Sequence, residues 1–228
     1  MLRNAALAAL ELPAGAPKPD QFVYTKLYRL QRTGDPDSVI QTWESVDGTR
    51  LGLEDVGVKQ SAAVPGCRDG FWVTKAVGQP AHQSKLHCDA VQNAAYQPEM
   101  PTSPALLGSY LRRQFGLGPG DAGGMLINIE NRMTTGYLTP PQRAALYRVL
   151  AQTPGLTLVP HVTNVKGQTG VGVRSGRWKT AVYTIIFDRK TFAPLGMNWT
   201  TVTGPGKGTG GGEVVLKTKI VDSTPPLP

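Results

Sequence analysis

Histidine and cysteine side chains provide many of the nucleophiles, general bases and metal ligands of proteins, and this chain has only three histidines and two cysteines. They are His82, His87, His161, Cys67 and Cys88. Zinc sites usually pair their ligands as CxxC or HxxxH, and neither spacing occurs here. No GxSxG, HExxH or CGxC context surrounds any serine, histidine or cysteine. We therefore predict no catalytic residue, no metal site and no cofactor.

The two cysteines lie in loop-like sequence rich in Gly, Pro, Asn and Gln rather than in an apolar run. Two loop cysteines that close a short segment are typical of a structural disulfide. Because disulfides persist in oxidising compartments, Cys67 and Cys88 predict an extracytoplasmic protein. Two alternatives stay open: a zinc site that uses His87 and His82 beside the cysteines, and free thiols.

A glycine-rich run from Gly204 to Gly212 invites comparison with a phosphate-binding loop. A P-loop needs Ser or Thr directly after its lysine, and then a helix. Here Gly208 follows Lys207, and the apolar residues from Val214 onward are typical of a strand, so we predict a flexible hairpin loop. The aspartates fall at predicted turns and strand edges, where they serve as hydrogen-bond acceptors. A cryptic hydrolase is therefore the least favoured interpretation.

The net charge is +8, from 24 basic and 16 acidic residues. The basic residues are spread along the chain, and their densest pair is Arg112-Arg113, so we predict a solvated basic surface and no nucleic-acid binding. No stretch approaches the roughly 20 apolar residues of a transmembrane helix. Glu11 and Pro13 interrupt the apolar start, so no signal peptide is predicted. The chain is then either cytosolic or a soluble domain trimmed from a longer protein, and the predicted disulfide favours the second.

Helical and strand patterns occur in long blocks along the chain. We predict an N-terminal helix in residues 1–12, a β-meander in 20–60, an irregular cysteine-containing segment in 61–101, a helical lid in 103–152, a second β-meander in 156–222 and a tail in 223–228. Ser103 and Thr139, each followed by proline, are predicted N-caps. Strands, then helices, then strands predict one α+β domain. We expect a strongly curved antiparallel sheet, a half-barrel, with the N-terminal helix and the helical insert packed on its concave face.

The aromatic residues lie almost wholly on or beside the predicted strands: Phe22, Tyr24, Tyr28, Trp43, Phe71, Trp72, Trp178, Tyr183, Phe187 and Trp199. In a curved sheet under helices, such side chains can line an apolar cavity that suits an acyl chain. Core and cross-strand packing is the competing explanation. The candidate lining residues, drawn from strands and helices, are Phe22, Tyr24, Trp43, Leu107, Leu111, Met125, Ile129 and Met133.

Several segments together carry a family resemblance: LRNAALAAL (2–10), PDQFVY (19–24), WESVDG (43–48), PGCRDG (65–70), ALYRVLA (145–151) with PG (154–155), and IFDRKT (186–191) with LG (195–196). With them the chain resembles an actinobacterial family of membrane-tethered extracytoplasmic proteins, which has no established activity and is often encoded beside sigma factors. The resemblance implies a full-length protein anchored by a transmembrane helix outside this chain. The order of elements is also similar to the lipoprotein-carrier fold and to sigma-regulator sensors, which hold lipid in a half-barrel.

These observations predict a non-enzymatic binding or sensor domain of the cell envelope. Its partner is expected to be a lipid-like apolar ligand held in the half-barrel. The alternative is a protein–protein interaction module of an anti-sigma-like membrane regulator, which would bind an envelope protein through a sheet edge or an exposed aromatic patch.

Overall fold

The computed structural model describes residues 1–32, 34–57 and 61–226. Within these ranges the helices α1 to α5 are Leu2–Leu10, Ala90–Asn93, Pro104–Phe115, Ala122–Thr134 and Pro140–Gln152. The strands β1 to β12 are Phe22–Leu30, Ser38–Ser45, Gly52–Asp55, Ser61–Val64, Gly66–Arg68, Phe71–Thr74, His82–His87, Leu156–Thr163, Thr169–Ser175, Ala181–Phe187, Pro194–Thr201 and Gly210–Val221. Residues 33 and 58–60 of the predicted first meander and 227–228 of the predicted tail lie outside the described residues.

Nine strands form one antiparallel sheet in the order β4-β3-β2-β1-β12-β11-β10-β9-β8. Each meander keeps its chain order, and the pairing of β1 with β12 joins the two. The sheet does not close, because β4 and β8 are its edges. The α+β class with a large antiparallel sheet is therefore confirmed.

The helices cover one face of this sheet, here called the helix-covered face. Helix α4 lies against β9, β10 and β11, and its residue Thr134 accepts a hydrogen bond from Thr25 of β1. Helix α5 packs Tyr147 against Phe187 of β10, with ring centroids 5.6 Å apart, and α1 packs chiefly against α5. The opposite, open face of the sheet has no helix over it in the described part of the chain. No helix among the described residues is long and apolar enough to span a membrane.

Local sequence accounts for the ends of the central helices. Thr139 and Gln142 form a capping box at α5: the Thr139 hydroxyl accepts from the Gln142 N–H, and the Gln142 amide oxygen accepts from the Thr139 N–H. Asp121 caps α4 by accepting from the Gly124 N–H at 3.0 Å. Ser103 occupies the N-cap position of α3 as predicted, but its side chain makes no capping hydrogen bond.

Residues 61–101 are not irregular, and that prediction was wrong. Strand β4 extends the large sheet, while β5, β6 and β7 form a separate three-stranded sheet that is followed by the single turn of α2. Nearly all of β7 is exposed, so its sequence lacks the apolar alternation by which a half-buried strand is recognised. The predicted disulfide between Cys67 and Cys88 is present, with Cα atoms 5.9 Å apart, and it joins β5 to the residue after β7.

The glycine-rich run forms the connection between β11 and β12, and a strand follows it, as predicted. Strand β12 already begins at Gly210, before the predicted start at Val214. Gly211 cannot carry a side chain, because a Cβ there would lie 2.4 Å from the main-chain oxygens of Leu30 and Gln31 and 2.7 Å from the Trp199 ring. The glycines therefore allow β1, Trp199 and β12 to pack closely.

Candidate binding groove beneath helix α4

The predicted lining residues on the helices lie in the main hydrophobic core. Each is between 0% and 4% exposed, and all five pack in one cluster with α1, α5 and β10: Leu107, Leu111, Met125, Ile129 and Met133. These side chains fill the space between the helices, and none of them lines a described cavity.

The predicted lining residues on the strands lie away from the helices, on the side of the open face of the sheet. Tyr24 and Trp43 form a cross-strand pair with ring centroids 4.8 Å apart, and they line a cavity on the open face together with Lys217 and Lys219. Phe22 is 3% exposed beneath the guanidinium of Arg50, which lies 5.0 Å from the ring centroid. The structure therefore does not bring the eight candidates to one site, and their contact with a ligand remains a prediction.

Two cavities do lie between the sheet and the helices, and polar residues of α4 line both. Asn128, Asn131 and Arg132 of α4 share one stripe with Thr135, the C-cap of that helix, at the spacing of residues that lie one above the other. Asn131 and Thr135 also line the second cavity. The two cavities therefore meet along α4, and we call them together the α4 groove.

The first part of the groove, the Glu44 cavity, has a volume of about 300 Å³ and lies between α4 and β2. Burial raises the pKa of Glu44 to about 7, against the opposing effect of the nearby Arg132, and Glu54 raises it further. Burial also lowers the pKa of Arg132, which Glu44 counteracts. Glu44 and Arg132 both line this cavity, and among the described contacts no ion pair within 4 Å joins them.

The second part, the Glu130 cavity, has a volume of about 380 Å³ and lies between α4 and strands β1, β11 and β12. Glu213 of β12 accepts two hydrogen bonds from Arg29, at 3.1 Å from Nε and 3.0 Å from Nη2. Glu130 is 3% exposed, and its buried Oε1 has no hydrogen-bond partner in the described part of the chain. Burial raises the pKa of Glu130 to about 8, and the neighbouring Glu213 adds to the shift.

Aromatic side chains complete the Glu130 cavity. Tyr183 of β10 and Trp199 of β11 are directly paired across the two strands, and both line the cavity. The Trp199 Nε1–H donates to the main-chain oxygen of Gln31 at 3.3 Å, which holds the indole in place. Gly211 opposite Trp199 leaves room for that ring.

The groove offers recognition groups but no catalytic arrangement among its lining residues. None of the three histidines lines it: His82 and His87 lie on β7, and His161 of β8 has its Nδ1 2.7 Å from Nη2 of Arg189. The described residues contain no group of three or more His, Cys, Asp or Glu that could hold a metal ion. The lining is suited to hydrogen bonds and charge pairing, because it contains amides, hydroxyls, carboxyls and a guanidinium.

Sequence reasoning missed the charged residues of the groove. Glu44 and Arg132 are separated along the chain, as are Glu130 and Glu213, so no motif connects them. One signal was available: Glu130 is the only acidic residue of α4, and it directly follows Ile129, one of the buried apolar residues of that helix. A carboxyl beside buried apolar residues of a helix is either exposed to solvent or buried with a group that pairs with it.

No protein-family model matches the chain, and no curated protein matches it. The MucA/MucB complex of Pseudomonas aeruginosa aligns with a TM-score of 0.34 and 15% identity, over 99% of this chain and 58% of that one. MucB in complex with MucA(peri) aligns with a TM-score of 0.30 and 14% identity, over 99% and 56%. A LolA superfamily protein from Nitrosomonas europaea aligns with a TM-score of 0.28 and 7% identity, over 98% and 95%.

The chain thus spans less than two thirds of the first two structures that it aligns with. Because every TM-score lies below 0.5, these likenesses support no conclusion about function.

Proposed function

We propose that this chain is an extracytoplasmic binding domain that performs no chemistry itself and holds a segment of a partner protein in the α4 groove. One observation carries the proposal: two adjacent cavities between α4 and the sheet present partly or fully buried ionisable groups of both kinds, the carboxyls of Glu44 and Glu130 and the guanidinium of Arg132. Each cavity lies within the size range of pockets that bind ligands.

The chemistry of the groove favours a polypeptide over an acyl chain. An acyl chain beside Glu130 and Arg132 would exclude water from both groups and supply no hydrogen bond, which costs about 1–3 kcal/mol for each polar group left unpaired. A polypeptide brings an N–H donor and a C=O acceptor at nearly every residue, together with side chains of either charge. It can therefore satisfy carboxyls, amides and a guanidinium along one groove.

The disulfide supports an extracytoplasmic location, because a bond between Cys67 and Cys88 persists where thiols are oxidised. A membrane anchor outside this chain, as the family resemblance implies, would couple binding in the groove to signalling across the membrane. In that arrangement the domain is the sensing part of an anti-sigma-like regulator.

A selection from a random peptide display library tests the proposal with a matched pair of variants. Thr135→Trp places a large ring where both cavities meet, whereas Thr200→Trp adds the same ring at an exposed position on the opposite face of β11 from Trp199. We expect selected peptides to bind the wild type and Thr200→Trp, and to bind Thr135→Trp at least about tenfold more weakly. Peptides that bind all three proteins equally would refute the groove as the binding site.

A lipid-like ligand is the second candidate, and a different cavity favours it. A cavity of about 440 Å³ lies where α1, α5 and the edge strand β8 meet, and it is lined by the apolar Leu2, Leu150, Leu156 and Val173 beside polar residues such as Arg3 and Asn4. Leu158 borders the same cavity and is 52% exposed. The mass of freshly purified protein under native and then denaturing conditions tests this candidate: a lipid-sized difference supports it, and equal masses count against it.

A further inference from the structure

The charges in the Glu130 cavity do not balance within the chain once Glu130 is ionised. The cavity contains two carboxyls, Glu130 and Glu213, and one guanidinium, Arg29. Both hydrogen bonds of Arg29 go to Oε2 of Glu213, and Arg29 acts on Glu130 only through its charge, which lowers the pKa of Glu130. Glu130, at 3% exposed, keeps Oε1 without a hydrogen-bond partner in the described part of the chain. A buried carboxyl of this kind lacks a cation or a donor.

The walls of the cavity narrow the class of ligand that can supply this cation. Tyr183 and Trp199 stand side by side, and Trp199 is fixed by its hydrogen bond to the Gln31 carbonyl. Aromatic rings beside a carboxylate attract ammonium and guanidinium groups through the ring quadrupole together with the ion pair. An anion would meet two carboxyls and an occupied guanidinium, and a purely apolar group would leave Glu130 unpaired. A hydrated metal ion is not favoured, because the cavity offers one free carboxyl among its lining groups.

We propose that the Glu130 cavity is a site for an organic cation, in which an ammonium or guanidinium group pairs with the Glu130 carboxylate between Tyr183 and Trp199. This inference rests on the proposed binding role of the α4 groove and names the group that one end of it takes. The source of the cation is a lysine or arginine side chain of the partner segment, or a free polyamine with the same chemistry.

Protonation of Glu130 governs the affinity of such a site. Arg29 from β1, Glu213 from β12 and Tyr183 from β10 line the cavity together with Glu130. Burial and Glu213 raise the pKa of Glu130 to about 8, against the opposing effects of the Thr134 side chain and Arg29. Only the ionised carboxylate can pair with a cation, so binding releases a proton below this pKa. The affinity therefore rises as the pH increases from about 6 to about 8.5, by up to roughly a hundredfold.

A titration followed through the Trp199 indole N–H tests the proposal. The probes are N-acetyl-lysine methylamide, its uncharged counterpart N-acetyl-norleucine methylamide, and spermidine, each added to ¹⁵N-labelled protein at about pH 8.5 and at about pH 6. The Trp199 signal among the four tryptophans is identified from the spectrum of Trp199→Phe. We expect a saturable shift with the lysine probe, on the order of tenfold weaker binding of the norleucine probe, and the rise with pH described above.

Two variants separate a specific site from a general charge effect. Glu130→Gln removes the charge with little change in shape and is expected to weaken lysine binding on the order of tenfold, whereas Glu11→Gln, at an exposed position outside the groove, leaves it unchanged. Equal binding of the lysine and norleucine probes, or binding that does not change with pH, overturns the proposal even if Glu130→Gln fails to fold. Tighter binding of the lysine probe supports a protein side chain as the source, and tighter binding of spermidine supports a free polyamine.

The outcomes also distinguish this inference from the proposed function. One outcome is that the lysine probe shifts the Trp199 signal, but no selected peptide loses affinity for Thr135→Trp. That outcome would support the cation site and refute the α4 groove as the site of a partner segment. The opposite outcome is that selected peptides lose affinity for Thr135→Trp, contain no basic residue, and bind Glu130→Gln as tightly as the wild type. That outcome would refute the cation site and support the α4 groove as the site of a partner segment.

Discussion

The disulfide between Cys67 and Cys88 is expected to contribute a measurable part of the stability of this protein. The bond links cysteines 21 residues apart and joins β5 to the residue that follows β7 in the three-stranded sheet. Much of that sheet is exposed, so apolar burial contributes little to holding it in place. The perturbation is either reduction of the bond or replacement of both cysteines by alanine.

The separation of the cysteines sets the size of the effect. A cross-link that closes a loop of this length lowers the entropy of the unfolded chain and stabilises the folded state by about 3 kcal/mol. In a domain of 228 residues, each kcal/mol shifts the melting temperature by roughly 2–4 °C. Loss of the disulfide should therefore lower the melting temperature by roughly 6–12 °C, if the small sheet unfolds together with the large one.

Thermal unfolding followed by circular dichroism measures this shift, with and without a mild thiol reductant. The Cys67→Ala/Cys88→Ala variant is the control, because it should melt at the lower temperature and not respond to reductant. Intact mass under denaturing conditions shows whether the wild type has lost the hydrogens of its two thiols. A reduced wild type that melts within about 2 °C of the oxidised protein would refute the loop-entropy argument for this bond.

Three further substitutions test the core, the sheet and the groove. Leu111→Ala, at a fully buried core position, should lower the free energy of unfolding by about 2–5 kcal/mol in denaturant titrations, whereas Leu106→Ala, 63% exposed on the same helix, should change it by less than about 0.5 kcal/mol. Gly211→Ala forces a Cβ against two main-chain oxygens and should cost about 1–3 kcal/mol, while Gly15→Ala, with open space around it, serves as the control; equal costs would contradict the predicted clash. Burial raises the pKa of Glu130 to about 8, so its contribution to stability is fully present below about pH 4.5 and is lost as the pH rises through about 8. Glu130→Gln should therefore match the wild type at about pH 5 and exceed it at about pH 9, by on the order of a few kcal/mol, and a difference that does not change with pH would refute the burial of an ionisable group there.

The groove beneath α4 differs in chemistry from the apolar cavity that the sequence predicts. The sequence analysis names the apolar positions of the helices as candidate lining residues, and in the structure they pack with one another in the core. The space left between α4 and the sheet is lined by the polar stripe of that helix, where Asn131 and Thr135 serve both cavities. Helical periodicity distinguishes an apolar stripe from a polar one. It does not show which of these stripes packs toward a neighbouring sheet.

The sequence by itself determined the α+β class and the four longer helices α1, α3, α4 and α5, and it favoured a disulfide between the two cysteines. These features depend on local rules: side-chain alternation in strands, 3.6-residue periodicity in helices, capping residues such as Thr139, and the small number of cysteines. The three-stranded sheet escaped detection because it buries too little apolar surface to leave a periodic pattern.

Only the tertiary structure decided which charged groups come together. The pairing of β1 with β12 brings Arg29 opposite Glu213, and the packing of α4 over those strands brings Glu130 to the same cavity. Such encounters depend on strand register and on the placement of a helix, both of which are properties of the whole chain. The buried carboxyl of Glu130 obtains its raised pKa, and its proposed role, from neighbours that no local stretch of sequence contains.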